Sequence, residues 1–466
     1  MAGDSRNIAM GVSGFALLVA LAFLLLFRAD GAQAVAQTGL AGGGAGGNFV
    51  GVATCSGSTC HGRSVPDGPV VRQDEIVIWQ DPASAAGAHS RAFAILQEPR
   101  SRQIAQRLGI GEATSAPMCV GCHATPAPIA QRGPRFLRSD GISCESCHGA
   151  ASGWLTIHYS AGANHAQNVS RGMVPLENPR ARAAVCLDCH FGNEAQNRFV
   201  SHRIMAAGHP RISFELDLFS TLQAHHDEDA DYQSRKGRTS NVQMWAIGQA
   251  MALERSLTLF NSDRGREGIF PEFYFLDCHS CHRPISDAPQ FNPTVVDNPS
   301  RPIPNGMPPY NDENMIMLSA AARVVAPELG RRFDASSRAF HESMDDDRAT
   351  IVAAANRLRL DARALADRFS AASITRQQVF AIIDTITSNA ISERFTDYAG
   401  SVQAVMATDT LLSALVAGGE LNTNSVQGIR GDINTAYQAV REPNSYNPRN
   451  FRASLGRAAA AIRRLR

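Results

Sequence analysis

The stretch CESCHGAASGWLTIH, Cys144 to His158, places two cysteines three residues apart with a histidine directly after the second. On one helical turn Cys144 and Cys147 share a face, and His148 follows on the next turn. That order suits two thioethers to the vinyls of a porphyrin and an imidazole to its iron. The same spacing recurs at Cys119/Cys122/His123, Cys186/Cys189/His190 and Cys278/Cys281/His282. A fifth cluster, Cys55/Cys60/His61 (CSGSTCH), has two extra residues, which must loop out between the thioethers.

These five pairs use all 10 cysteines, so no leftover thiol remains. Disulfides in an oxidising compartment, or zinc held by C-x-x-C pairs, are the competing uses. Neither accounts for a histidine after the second cysteine in every pair, with 14 His in 466 residues. The expectation is five covalently attached haems c, with His61, His123, His148, His190 and His282 as proximal iron ligands.

Nine further histidines remain: His89, His158, His165, His202, His209, His225, His226, His279 and His341. Eight lie between residues 89 and 279, within the cluster-bearing span. His279 sits inside its own cluster (CHSCH), pointing away from that iron, toward solvent or another haem. His341 lies far from any cluster, where a surface position is expected. Two histidines on one iron give a low-spin centre suited to electron transfer, whereas a missing sixth ligand leaves room for substrate.

The 44 Lys+Arg balance 43 Asp+Glu, for a formal net charge of +1. That excludes a nucleic-acid binder held by bulk positive charge. Five haems with their propionates would bring the total to about −4, and some arginines are expected to pair with propionates. Only one of the basic residues is a lysine, Lys236, expected in a charged loop (SRKGR).

Several stretches resemble the multihaem cytochrome c family that includes the tetrahaem cytochrome of ammonia oxidation and related pentahaem cytochromes. They are CESCHGAASGWLTIH, CLDCHFG (Cys186 to Gly192), SHRIMAAGHPRISFEL (Ser201 to Leu216), MWAIGQA (Met244 to Ala250) and PEFYFLDCHSCHRP (Pro271 to Pro284). The resemblance runs from about Phe49 to Ile285. It implies a mainly α, loop-rich fold around closely stacked haems. It also implies distal ligands drawn from His89, His158, His202, His209 and the His225-His226 pair, His225 being the one chosen here. The wide first cluster departs from the commonest pattern of the family.

Residues 8–27 carry no charge and are long enough to span a bilayer. Small-x-small sites at Ala32-Gln33-Ala34 and Ala34-Val35-Ala36 allow cleavage of a signal peptide instead. The apolar run exceeds a usual signal core and the first cut lies beyond it, which favours an anchor; both readings stay open. Either way the bulk is exported, to the periplasmic side of the inner membrane.

The organisation expected is an N-terminal signal-anchor or signal peptide at 1–36 and a Gly-rich tether at 37–47. A pentahaem domain at 48–286, a Pro-rich linker at 287–313 and a helical domain at 314–466 follow. In the last, Val379, Ile382, Ile383 and Ile386 form one stripe, and Val402, Val405, Met406 and Leu412 another. Thr375, and Asn447 before Pro448, are expected N-caps. Four or five such helices would form a small bundle.

Two function classes follow. The first is an electron carrier passing electrons between redox partner proteins, with no catalytic residue and no nucleic acid. The second is an oxidoreductase acting on a small nitrogen or sulfur compound at a haem with an open axial site. Pentahaem nitrite reductases use a lysine ligand, often in C-x-x-C-K. No such cluster occurs here, which favours the carrier.

Overall fold

The computed structural model describes residues 47–66, 72–211, 213–266, 268–282, 298, 300–390, 392 and 398–466. The expected signal or anchor at 1–36, nearly all of the tether at 37–47 and much of the 287–313 stretch lie outside them.

The chain is mainly α. The first half carries α1 (Val52–Cys55), α2 (Glu75–Gln80), α3 (Pro99–Leu108), α4 (Pro117–His123), α5 (Cys144–His148) and α6 (Leu155–His158). There follow α7 (His165–Ser170), α8 (Pro179–His190), α9 (His202–Ala206), α10 (Leu216–Leu222), α11 (Ala230–Lys236) and the long α12 (Asn241–Asn261). Beyond the proline-rich stretch come α13 (Glu313–Val325), α14 (Pro327–Glu342), α15 (Arg348–Ser370), α16 (Arg376–Ala390), α17 (Tyr398–Ala417), α18 (Thr423–Ala439) and α19 (Pro448–Arg463). Extended pairing among the described residues is limited to isolated bridges such as Phe49 with Arg132 and Leu276 with Tyr310.

Among the described residues the C-terminal region therefore has seven helices, where the apolar stripes suggested four or five. The expected caps are present: Asn447 accepts from the Arg449 and Asn450 amides, with Pro448 at the first helical position. Thr375 and Gln378 exchange hydrogen bonds at the start of α16. α17 is long and apolar enough to cross a membrane by composition, but most of it is buried inside the protein, which marks it as a core helix.

The core explains how the two halves hold together. α12 is apolar almost all round, with Trp245, Ala246, Ile247, Ala250, Leu257 and Phe260 fully buried. It packs against α8 and α10 on the cluster-bearing side and against α13, α15 and α17 on the other. One apolar cluster consequently runs from Ala183 to Ile462. The proline-rich stretch marks no break in that core. Each large side chain so buried contributes about 1.5–3 kcal/mol.

Upstream of Ala183 the packing is different. Among the described residues the apolar clusters there are three, each of three buried residues: Phe49 with Ala127 and Ala150; Val52 with Ile76 and Trp79; Leu96 with Ala105 and Ala113. Cys144 packs against the second and Cys119 against the third. Polypeptide alone makes only a thin core in this part, and the cysteine clusters are built into it.

Candidate haem-binding site

Local sequence sets each cluster. Pro117 and Pro179 occupy the first positions of α4 and α8, and the Asn178 side chain caps α8 by accepting from the Arg180 amide. α5 is the cluster Cys144–His148 itself. In these three, cysteines and histidine lie on consecutive helical turns, as the spacing predicts. The other two differ. Cys278–Ser280 is a 3₁₀ turn capped by Asp277, and the His282 amide reaches the Cys278 carbonyl at 2.8 Å. In the wide cluster the residues after Cys55 leave α1, and the His61 amide returns to the Cys55 carbonyl at 3.2 Å. The two extra residues loop out and the histidine keeps its place.

Each motif histidine faces a histidine from elsewhere in the chain. Ring centroids are 6.1 Å apart for His61 and His158, 6.3 Å for His190 and His89, and 6.2 Å for His123 and His209. The separation is 6.1 Å for His282 and His202. His148 faces two neighbours, His225 at 6.3 Å and His226 at 5.9 Å. Their ligand atoms form a three-histidine group.

These separations can be tested against a haem. An imidazole nitrogen binds a transition metal at about 2.0 Å and lies about 1.1 Å from its ring centre, so two imidazoles trans on one iron stand about 6.2 Å apart. All five pairs match that figure. His225 and His226, at 4.1 Å, are too close to hold a metal between them.

The second ring nitrogens orient the rings. Nδ1–H of His123 donates to the Ala92 carbonyl at 2.9 Å, that of His209 to Pro210 at 2.8 Å, and that of His225 to Gln223 at 3.0 Å. The His61 Nδ1 lies 2.9 Å from a Glu75 carboxylate oxygen. In each, Nε2 is left for a metal. Burial disfavours the imidazolium and lowers the pKa of His89, His148, His158 and His209. It brings His190 and His225 down to about 4. These rings are held neutral, the form that ligates iron. His61 goes the other way, raised by its hydrogen bond to Glu75.

The clusters are contiguous. The Cys55 and Cys144 side chains lie next to each other, as do those of Cys122 and Cys189. α5 packs on α8, which brings Cys147 near Cys186 and Cys189. The stretch 202–209 supplies a ring to two pairs, His202 to His282 and His209 to His123. Gln223 joins two more: its side chain bonds His89 and its carbonyl takes the His225 proton. All ten cysteines are free of disulfides. Cys60 and Cys281 are the two exposed ones.

Besides His226, beside His148 and His225, three histidines stand outside the pairs. His165 spends its Nε2 on Glu177 at 2.8 Å. His279, expected to face solvent or another haem, instead packs edge-on to Tyr446 with Nδ1 at 3.2 Å from the Pro443 carbonyl. His341, expected at the surface, is buried beside Asp312, which also binds Arg301 at 2.6 Å. The apolar helices around it needed a polar anchor that its own helix pattern does not reveal. Lys236 ends α11 and stacks on Tyr232 at 4.6 Å, so its stretch is helical at that point and not a loop.

The structure adds residues that sequence reasoning missed. Glu145, between the cysteines of its cluster, is buried and accepts from the Val50, Gly51 and Ala151 amides, each at 2.8 Å. Gly51 suits this approach: at φ +85° any Cβ would collide with the Arg135 carbonyl. Asp188, in the equivalent spacer of α8, binds Arg255 at 2.7 Å and Asn193 at 3.0 Å. Acidic residues in the spacers were the available signal. Glu75 had none, because its partners are remote in sequence.

Ten histidines in five iron-spaced pairs, with two cysteines beside each motif ring and a thin core around them, fit covalently bound haem. Comparison with known families gives one match: the model of the cytochrome c554 and c-prime family matches residues 55–149. No curated protein and no solved structure matches the chain. The matched residues hold the first three clusters, and the match supports a multihaem cytochrome c family, with covalent haem c and electron transfer.

Proposed function

We propose that this chain is a pentahaem c-type cytochrome carrying electrons between redox partner proteins. Cys55/Cys60, Cys119/Cys122, Cys144/Cys147, Cys186/Cys189 and Cys278/Cys281 hold the five groups through thioethers. The axial pairs are His61–His158, His123–His209, His148–His225, His190–His89 and His282–His202. The single observation that carries this reading is the spacing of these five pairs, 6.1–6.3 Å between ring centres.

Haem, when bound, supplies a one-electron couple in which both oxidation states keep their ligands. Burial disfavours the charged form of His89, His148, His158, His190, His209 and His225, hydrogen bonds at Nδ1 orient His61, His123, His209 and His225, and the packing places the clusters next to one another. The full set of ring pairs favours transfer over chemistry on a substrate. We place the haem-bearing part on the periplasmic side of the inner membrane, anchored by residues 8–27 or released after cleavage, because thioether attachment and an exported leader agree.

The test is haem stoichiometry by pyridine haemochrome and intact mass, with EPR of the ferric protein. Five haems and exclusively low-spin signals are expected. A high-spin centre that binds hydroxylamine or CO would overturn the carrier reading.

A further inference from the structure

The motif histidines do not share one kind of partner at Nδ1. His61 has a carboxylate, Glu75, at 2.9 Å. His123 has a neutral backbone carbonyl. The Nδ1 of His190 is buried without a hydrogen-bond partner, its ring stacked on Phe214 at 4.8 Å and edge-on to Phe219. Glu75 is itself partly buried, held between the two histidines His61 and His226. Its other oxygen lies 3.5 Å from the His226 Nδ1.

A carboxylate on Nδ1–H draws the proton and gives the ring imidazolate character. The ring then donates more strongly to a metal and favours the more positive ferric state. A neutral carbonyl does this weakly, and an apolar cage without an acceptor opposes it. We propose that Glu75 is a positioning residue that sets the site of Cys55, Cys60 and His61 as the lowest-potential member of the five. This site also has an exposed cysteine, Cys60, so its low potential lies where a donor can approach.

The inference rests on the pentahaem reading and is tested on the full-length holoprotein by potentiometric titration followed optically and by EPR, in wild type, Glu75→Gln and Glu75→Asp. Glu75→Gln keeps the shape and removes the charge. The lowest midpoint is expected to rise while the other four stay, with all centres low-spin. Glu75→Asp keeps the charge and is expected to recover part of the shift. An unmoved lowest midpoint in Glu75→Gln, an Asp variant no different from the Gln variant, or a common drift of all midpoints overturns the role of Glu75. Wild-type protein with fewer than five haems, or without haem on the Cys55–Cys60 peptide, overturns the pentahaem reading itself.

Discussion

His158 stands opposite His61 with ring planes 18° apart and centroids at 6.1 Å, although α2, α3, α4 and α5 lie between the two residues along the chain. Trp154 holds His158 from the side, edge-on at 5.6 Å. The 6.1 Å separation fits two imidazoles on one iron and is the ground for the proposed partner of the wide cluster, whatever its spacing.

His158→Ala should therefore open one axial position. EPR of the ferric variant is expected to show one high-spin centre, and the ferrous variant to bind CO at one haem per chain. His165→Ala, seven residues on but committed to Glu177, should leave the spectrum unchanged. A His158→Ala protein that stays wholly low-spin would remove His158 from the ligand set.

Glu145 joins three backbone amides from two segments to the third cluster. Glu145→Ala leaves these buried donors unpaired, at about 1–3 kcal/mol each. The expected outcome is a loss of more than about 3 kcal/mol in denaturant unfolding, together with poorer occupancy of the first and third clusters by mass. Glu145→Gln should cost less, because its amide oxygen can still accept.

Gly248 lies on α12 where a Cβ would stand 2.5 Å from the Leu216 Cβ on α10. Alanine there gains about 1 kcal/mol in helix propensity but forces the two helices apart, at about 1–3 kcal/mol. Gly248→Ala is expected to lower Tm with the haem spectrum retained. A raised Tm would show that α10 can shift freely.

Asp217 is buried and its carboxyl is pushed up to about 8, first by desolvation and then by the neighbouring Glu215 charge. The folded protein thus holds a proton that the unfolded chain releases near pH 4. The stability associated with this proton is present below about pH 4 and lost as pH rises toward 8, at no more than about 1.4 kcal/mol per pH unit. Asp217→Asn stays neutral and still accepts from Asn241, now 2.9 Å away. Melts between pH 4 and 8 should show a shallower decline for the variant and a higher Tm than wild type at pH 8. Parallel curves would mean that Asp217 is ionised in the folded protein.

Much of this molecule is legible in its residue order. Covalent attachment needs two cysteines and a histidine within one or two turns, so short-range spacing marks all five clusters. Helix caps such as Asn447 and apolar stripes such as Val379 to Ile386 are equally local. The resemblance nominated the histidines that stand opposite the motif rings, but not their order. His89, which precedes four of the clusters, faces the fourth, and the paired rings His202 and His209 serve different clusters. Only the packing of α8, α10 and the 202–209 stretch around one another decides such pairings, because they join residues with no fixed separation. The same holds for Glu75 on His61, for the buried His341, and for the core that α12 shares with both halves. The sequence by itself determined where the attachment points lie; the tertiary structure decided which ring faces which, and with what charge behind it. Local bonding geometry is written in near neighbours, whereas burial and second contacts arise only when distant segments meet.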